Sequence, residues 1–90
     1  MADAKIRLAV FDALKAAVPG AASDARCRSY LDGGTNLRLA EFGMDSLARM
    51  EFCIAIELAT GVALLPAELV ALDSTDAVER HLRDRLLPAP

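Results

Sequence analysis

Gly43-Met44-Asp45-Ser46-Leu47 opens the most strongly patterned part of the chain. Gly43 interrupts what precedes it, and Asp45 and Ser46 are both residues that end a loop and start a helix. A helix beginning at Asp45 or Ser46 is predicted to run to about Thr60, where Gly61 suits the left-handed position just past a helix end. The serine hydroxyl has two uses at such a junction. It can cap the helix by accepting a backbone N–H bond. It can also carry an anionic group, because free N–H groups and the positive end of the helix dipole favour negative charge. The residues alone leave both uses open.

Wound at helical pitch, this segment has two apolar stripes. Leu47, Met50, Ile54 and Leu58 form one, and Phe52, Ala55, Ile56 and Ala59 form another, centred roughly opposite. A domain this small cannot easily bury both. Glu51 and Glu57 flank the Leu47 stripe, and Arg49 lies nearer the other, so the Leu47 stripe is assigned outward. Exposed apolar side chains rimmed by charge mark partner surfaces. Burial of both stripes, one of them under a loop, is the competing reading, and periodicity does not choose between the two.

Outward from this helix the pattern is simpler. A first helix is predicted over Asp3–Val18 from Ile6, Val10, Leu14 and Val18 with Phe11 beside them, and Pro19-Gly20 stops it. Residues 19–45 read as a long connection with a Gly33-Gly34 turn, spaced anchors at Tyr30, Leu31, Leu37, Leu39 and Phe42, and a short helical turn near Asn36–Glu41. Pro66 starts a short helix over Pro66–Ala71. Ser74 caps a last helix reaching about Leu86, with Val78, Leu82 and Leu86 as its stripe. The expected fold is all-α: a small four-helix bundle of three longer helices and one short helix, with a long loop between the first two. The expected domain spans 1–87, followed by a frayed tail at 88–90.

Composition narrows the function. Ninety residues with 54% hydrophobic but only 4% aromatic content give a single small domain with an aliphatic, alanine-rich core. The net charge of −3 argues against a nucleic-acid partner, which would need a basic face. No apolar run spans a bilayer, and Met1–Ile6 does not read as a signal peptide, so a soluble cytoplasmic protein, monomeric and without membrane contact, is expected. Cys53 reads as a packed thiol in a helix and Cys27 as a loop residue. Their spacing is not that of a metal site, and nothing beyond their number points to a disulfide. His81, beside Arg80 and Arg83, reads as solvated. No nucleophile elbow, phosphate-cradling glycine loop or paired metal ligands are present. An enzyme would need a reactive Cys27 or Cys53, and neither has a base nearby in sequence.

The order Leu39-Ala40-Glu41-Phe42-Gly43-Met44-Asp45-Ser46-Leu47, then Met50-Glu51-Phe52, Ile56-Glu57, Gly61-Val62, a Pro66-led short helix and a Ser74-capped last helix, resembles the acyl carrier protein family. These are the phosphopantetheine carriers of fatty-acid, polyketide and peptide assembly. The likeness runs from about Leu37 to Leu82. It implies that Ser46, with Asp45 beside it, is the attachment point of a covalent 4′-phosphopantetheine added from coenzyme A by a phosphopantetheinyl transferase. It implies a non-catalytic shuttle that holds cargo as a thioester and delivers it to acyl- or aminoacyl-loading enzymes, ketosynthases or acyltransferases. It places Leu47, Met50, Glu51, Ile54 and Glu57, with Asp45, on the docking face, and Phe52, Ile56 and Ala59 in the core. Small side chains at Ala13, Ala16, Ala17, Ala55 and Ala59 would leave room for cargo between helices.

The chain also departs from the family pattern. Carriers of primary fatty-acid synthesis are more acidic on this helix. Arg49 is a basic residue among acids, and Arg26, Arg28 and Arg38 make the long connection partly basic. These features point to a discrete carrier of a polyketide or other secondary-metabolite pathway. Met44-Asp45 ahead of the serine fits the acyl type, whereas aminoacyl or peptidyl carriers of nonribosomal peptide assembly more often show a second glycine there. The reading from a different class is an unmodified helical module that binds partners through the Leu47 stripe, with Ser46 only a cap.

Overall fold

A computed structural model describes residues 3–33 and 35–86. Among them are five α-helices: α1 (Asp3–Ala17), α2 (Ala25–Leu31), α3 (Ser46–Thr60), α4 (Pro66–Leu72) and α5 (Thr75–Leu86). Short 3₁₀ turns at Ala21–Ser23 and Leu39–Phe42 complete the helical content. The fold is all-helical, as the patterning predicts. The expected tail at 88–90 and Gly34 of the predicted turn lie outside the described residues.

α1 and α3 make the most extensive packing in the molecule. Ile6, Val10, Phe11, Ala13, Leu14 and Ala17 of α1 are buried, as are Phe52, Cys53 and Ile56 of α3. Val78 and Leu82 of α5 and Leu69 of α4 close the core from other sides. The core is therefore aliphatic, with Phe52 and Tyr30 as its two largest fully buried side chains.

The connection between α1 and α3 differs from the expected loop. It contains α2, and Cys27 sits in that helix, buried, instead of in a loop. Asp24 supplies the cap, its carboxylate accepting from the N–H of Arg26 at 2.8 Å and of Cys27 at 3.4 Å. A seven-residue helix is too short to stand alone, so the cap and the burial of Cys27 and Tyr30 must hold it. Two buried positions three residues apart are too few to show a period in sequence.

The far end of the connection is sewn to the α4–α5 junction. Leu39 N–H donates to the Asp73 carbonyl at 2.9 Å, and Thr75 N–H donates to the Leu37 carbonyl at 2.9 Å. Leu37 N–H donates to the fully buried Thr75 hydroxyl at 2.9 Å, which in turn donates to Asn36 Oδ1 at 3.2 Å. Ser74 caps α5 as predicted, its hydroxyl accepting from Ala77 N–H at 3.2 Å. Asp73 takes a left-handed conformation (φ 56°) to turn from α4 into this junction.

α2 is also tied to α5 through a buried polar pair. Tyr30 donates its phenol to Glu79 Oε2 at 2.6 Å, and Arg83 lies 3.5 Å from the other carboxylate oxygen. Burial, reinforced by the bond to the Glu79 carboxylate, pushes the Tyr30 phenol above its ordinary range.

Two predictions follow from these links. Thr75→Val removes the acceptor of the buried Leu37 N–H and should cost about 1–3 kcal/mol in urea unfolding, whereas Leu58→Gln, at an 84% exposed position, should stay within about 0.5 kcal/mol. The raised Tyr30 value means that the fold favours the neutral phenol. Its contribution to stability is whole below the unfolded value near pH 10 and falls as pH rises above it. Tyr30→Phe should therefore lower stability at neutral pH by about 1–3 kcal/mol and flatten the alkaline decline seen in unfolding curves across that range.

Candidate functional site

Local backbone geometry brings Ser46 to the surface. Gly43 adopts a left-handed conformation (φ 63°) that ends the Leu39–Phe42 turn, and an added Cβ there would meet nothing within 4 Å, so the backbone angle alone calls for glycine. Asp45 follows in an extended conformation as the N-cap of α3, its carboxylate accepting from Ala48 N–H at 2.8 Å. Ser46 is the first residue of the helix, and its side chain is exposed. The capping use of the Ser46 hydroxyl is thereby overturned, because Asp45 fills it. Ser46 Oγ instead lies 3.4 Å from Arg49 Nη2, and Arg49 Nη1 donates to the Met44 carbonyl at 2.7 Å.

The two stripes of α3 divide as the charge pattern predicts. Leu47, Met50, Ile54 and Leu58 are all exposed, from 50% at Met50 to 84% at Leu58, with Glu51 and Glu57 exposed among them. Phe52 and Ile56 are fully buried. Ala55 and Ala59 of the inward stripe depart from it: Ala55 is half-buried and Ala59 is exposed, both lying off the centre of the buried face set by Phe52, Cys53 and Ile56. Leu65, which precedes α4, and Val70 within it add to the exposed apolar surface, a contribution the sequence reading missed. A seven-residue helix with only Leu69 buried shows no stripe from which an outward face could be inferred.

One hollow adjoins the serine, and a second adjoins the first. A groove of about 310 Å³ between α3 and α4 is lined by Ser46, Arg49, Met50, Pro66, Ala67 and Val70. Beside it, sharing Arg49 and Val70, is an apolar hollow of about 240 Å³ reaching Leu39, Met44 and Leu69. Of the alanines expected to leave room for cargo, Ala13 is packed in the core and Ala16 and Ala59 face solvent, while Ala17 borders a separate hollow of about 270 Å³ that also touches Phe42, Met44 and Leu47.

Neither cysteine nor histidine lines these hollows. Cys27 and Cys53 are free, buried thiols that burial holds above their ordinary range, which leaves no activated thiol for covalent catalysis. His81 is half-buried rather than solvated, with Nε2 enclosed and without a hydrogen-bond partner among the described residues, and with Nδ1 3.4 Å from Arg85. Among the described residues no group of three His, Cys, Asp or Glu side chains is placed to hold a metal ion. No helix among them is long and apolar enough to cross a membrane.

The arrangement offers an exposed hydroxyl at a helix N-terminus, one guanidinium beside it, and an apolar face running away from it. Comparison with known families matches residues 31–82, more than half of the chain, to the model described as the phosphopantetheine attachment site. No significant match was found among curated proteins or among solved structures.

Division of labour between the two neighbouring residues gives a direct test. Asp45→Ala should cost about 0.5–2 kcal/mol through loss of the cap, while Ser46→Ala should change stability by no more than about 0.5 kcal/mol. Chemical denaturation of the two variants measures both.

Proposed function

This chain belongs to the phosphopantetheine attachment family, whose members carry a covalent 4′-phosphopantetheine, and on that premise we propose that it is an acyl carrier modified at Ser46. The observation that carries the reading is the exposed Ser46 hydroxyl, released from capping by Asp45, at the first turn of α3. The residues present suit the group. The helix end offers N–H donors and a positive dipole to a phosphodiester, and the guanidinium of Arg49 adds a full positive charge. When bound, the group supplies a terminal thiol that holds cargo as a thioester. Carrier domains of this family are generally non-catalytic, and the chain's own thiols are buried.

The docking face in this reading is the exposed stripe of Leu47, Met50 and Ile54 with Asp45, Glu51 and Glu57 around it. Its partners are the transferase that attaches the arm and the loading enzymes, ketosynthases or acyltransferases that use it. The apolar side chains supply contact area, and the carboxylates steer toward basic enzyme surfaces. The acyl reading follows Met44-Asp45 ahead of the serine, and Arg49 on an otherwise acidic helix fits a discrete secondary-metabolite carrier. A cytoplasmic monomer completes the proposal.

Incubation with coenzyme A and a broad-specificity transferase should add the mass of one phosphopantetheine to the wild type and none to Ser46→Ala. A wild type that stays unmodified overturns the proposal and leaves the unmodified interaction module, and a Ser46→Ala chain that gains the mass overturns the assignment to Ser46. Thiol titration checks it independently: the native unmodified protein should show no fast-reacting thiol, and the modified protein should show one.

A further inference from the structure

We propose that Arg49 is the positioning residue for the phosphodiester of the prosthetic group, an assignment that rests on the attachment at Ser46 proposed above. Ser46 and Arg49 are three residues apart on α3 and so share a face. The guanidinium is already fixed there. Nη1 donates to the Met44 carbonyl at 2.7 Å, which holds the fork in place, and Nη2 points at Ser46 Oγ from 3.4 Å, longer than a strong bond.

The charge balance around Arg49 makes the same point. Among the described residues, Arg26 pairs with Asp24, Arg38 with Asp73, and Arg83 with Asp3 and Glu79. No such ion pair within 4.0 Å is formed by Arg49, although it is half-buried. The nearby carboxylates are engaged elsewhere: Asp45 accepts from Ala48 N–H, and Asp73, on the wall of the same hollow, faces Arg38. The Arg49 guanidinium thus has one donor on a carbonyl and another near a hydroxyl, with no carboxylate within ion-pair distance among the described residues, which leaves its charge available to an anion at Ser46.

Transfer from coenzyme A forms a bond from Ser46 Oγ to the phosphorus that bears the pantetheine. It breaks the pyrophosphate P–O bond and releases 3′,5′-adenosine bisphosphate together with the hydroxyl proton, and so places an anion one bond beyond Oγ. The hydroxyl oxygen becomes the bridging oxygen of a phosphodiester whose non-bridging oxygens carry one negative charge. Nη2 then exchanges a weak contact with a hydroxyl for a charge-assisted bond to phosphate, while Nη1 keeps the Met44 carbonyl. Because Arg49 lines the α3–α4 groove with Pro66, Ala67 and Val70, the phosphate is held on the α4 side of Ser46.

A cycle of modification against mutation tests this. Wild type, Arg49→Gln and Arg49→Lys are each compared before and after phosphopantetheinylation, with complete modification verified by intact mass. The change in Tm on modification should be more favourable in wild type than in Arg49→Gln by about 4 °C. Arg49→Lys should retain part of that difference, because it keeps the charge but loses the fork. High salt should erode the wild-type difference. The phosphorus resonance of modified Arg49→Gln should move toward that of free phosphopantetheine, and the Arg49 side-chain nitrogen resonances of wild type should shift on modification. Equal Tm changes and equal phosphorus shifts in wild type and Arg49→Gln would overturn the assignment, since a residue that only tethers Met44 affects both forms alike. A wild type that gains no mass would instead defeat the attachment at Ser46, and this assignment with it.

Discussion

The bond from Ala48 N–H to the Asp45 carboxylate decides where α3 begins, and most of what the molecule presents to its surroundings depends on that starting point. With Asp45 as the cap, Ser46 is the first helical residue and its hydroxyl is not consumed in closing the helix. The same start sets the phase of the next four turns. Phe52 and Ile56 then fall against α1, and Leu47, Met50, Ile54 and Leu58 fall on the open side. A helix shifted by one residue would rotate every side chain by about 100°. It would bring part of the acidic face toward the core and withdraw part of the apolar stripe from solvent.

The features legible in the sequence are those set by local chemistry repeated over enough residues. Fifteen residues of α3 give a readable period, Gly61 closes the helix in the left-handed conformation, Pro66 opens α4, and Ser74 caps α5. The all-helical class follows from these, whereas the outward face of α3 rests on where Glu51, Glu57 and Arg49 fall around its two stripes. The unread features are set by contacts distant in the chain. α2 exists because Asp24 caps it and because Tyr30 reaches Glu79, 49 residues away. Ala59 belongs to the inward stripe by sequence but is exposed, because the buried face is centred on Phe52, Cys53 and Ile56 and Ala59 lies at its edge. The α4 contribution to the open face is hidden because seven residues with one buried position show no stripe. Arg49 stands between these cases. Its spacing from Ser46 is visible in sequence, but the Met44 carbonyl that fixes its guanidinium belongs to a loop whose path only the fold defines.

The basic residues of the long connection illustrate how the same composition can serve structure or recognition. Arg26 is held by Asp24 and lies 4.4 Å from the centre of the Phe42 ring, so it fastens α2 to the turn that precedes the site. Arg28 reaches back to the Ala22 carbonyl, and Arg38 lies beside Asp73 at the seam with α5. Each of these cations has a partner within the connection or at its seam. The long segment is therefore an anchored brace whose last turn delivers Gly43, Met44 and Asp45 to the start of α3.

Surface area limits how the proposed carrier can be used. The whole molecule exposes 5194 Å², and a stable protein contact takes about 800 Å² from each side. In the proposed reading, the exposed Leu47, Met50, Ile54, Leu65 and Val70 serve as the docking patch beside Ser46. Successive enzymes must then compete for one surface, and each must leave before the next can bind. The composition of the face suits that proposed use: Leu47, Met50 and Ile54 are exposed apolar side chains that offer modest contact area, and the exposed Glu51 and Glu57 favour fast encounter over a buried ion pair that would slow release. Burial of Cys27 and Cys53 completes the same logic, because a thioester passed between partners is safest on a domain whose own thiols are kept out of reach.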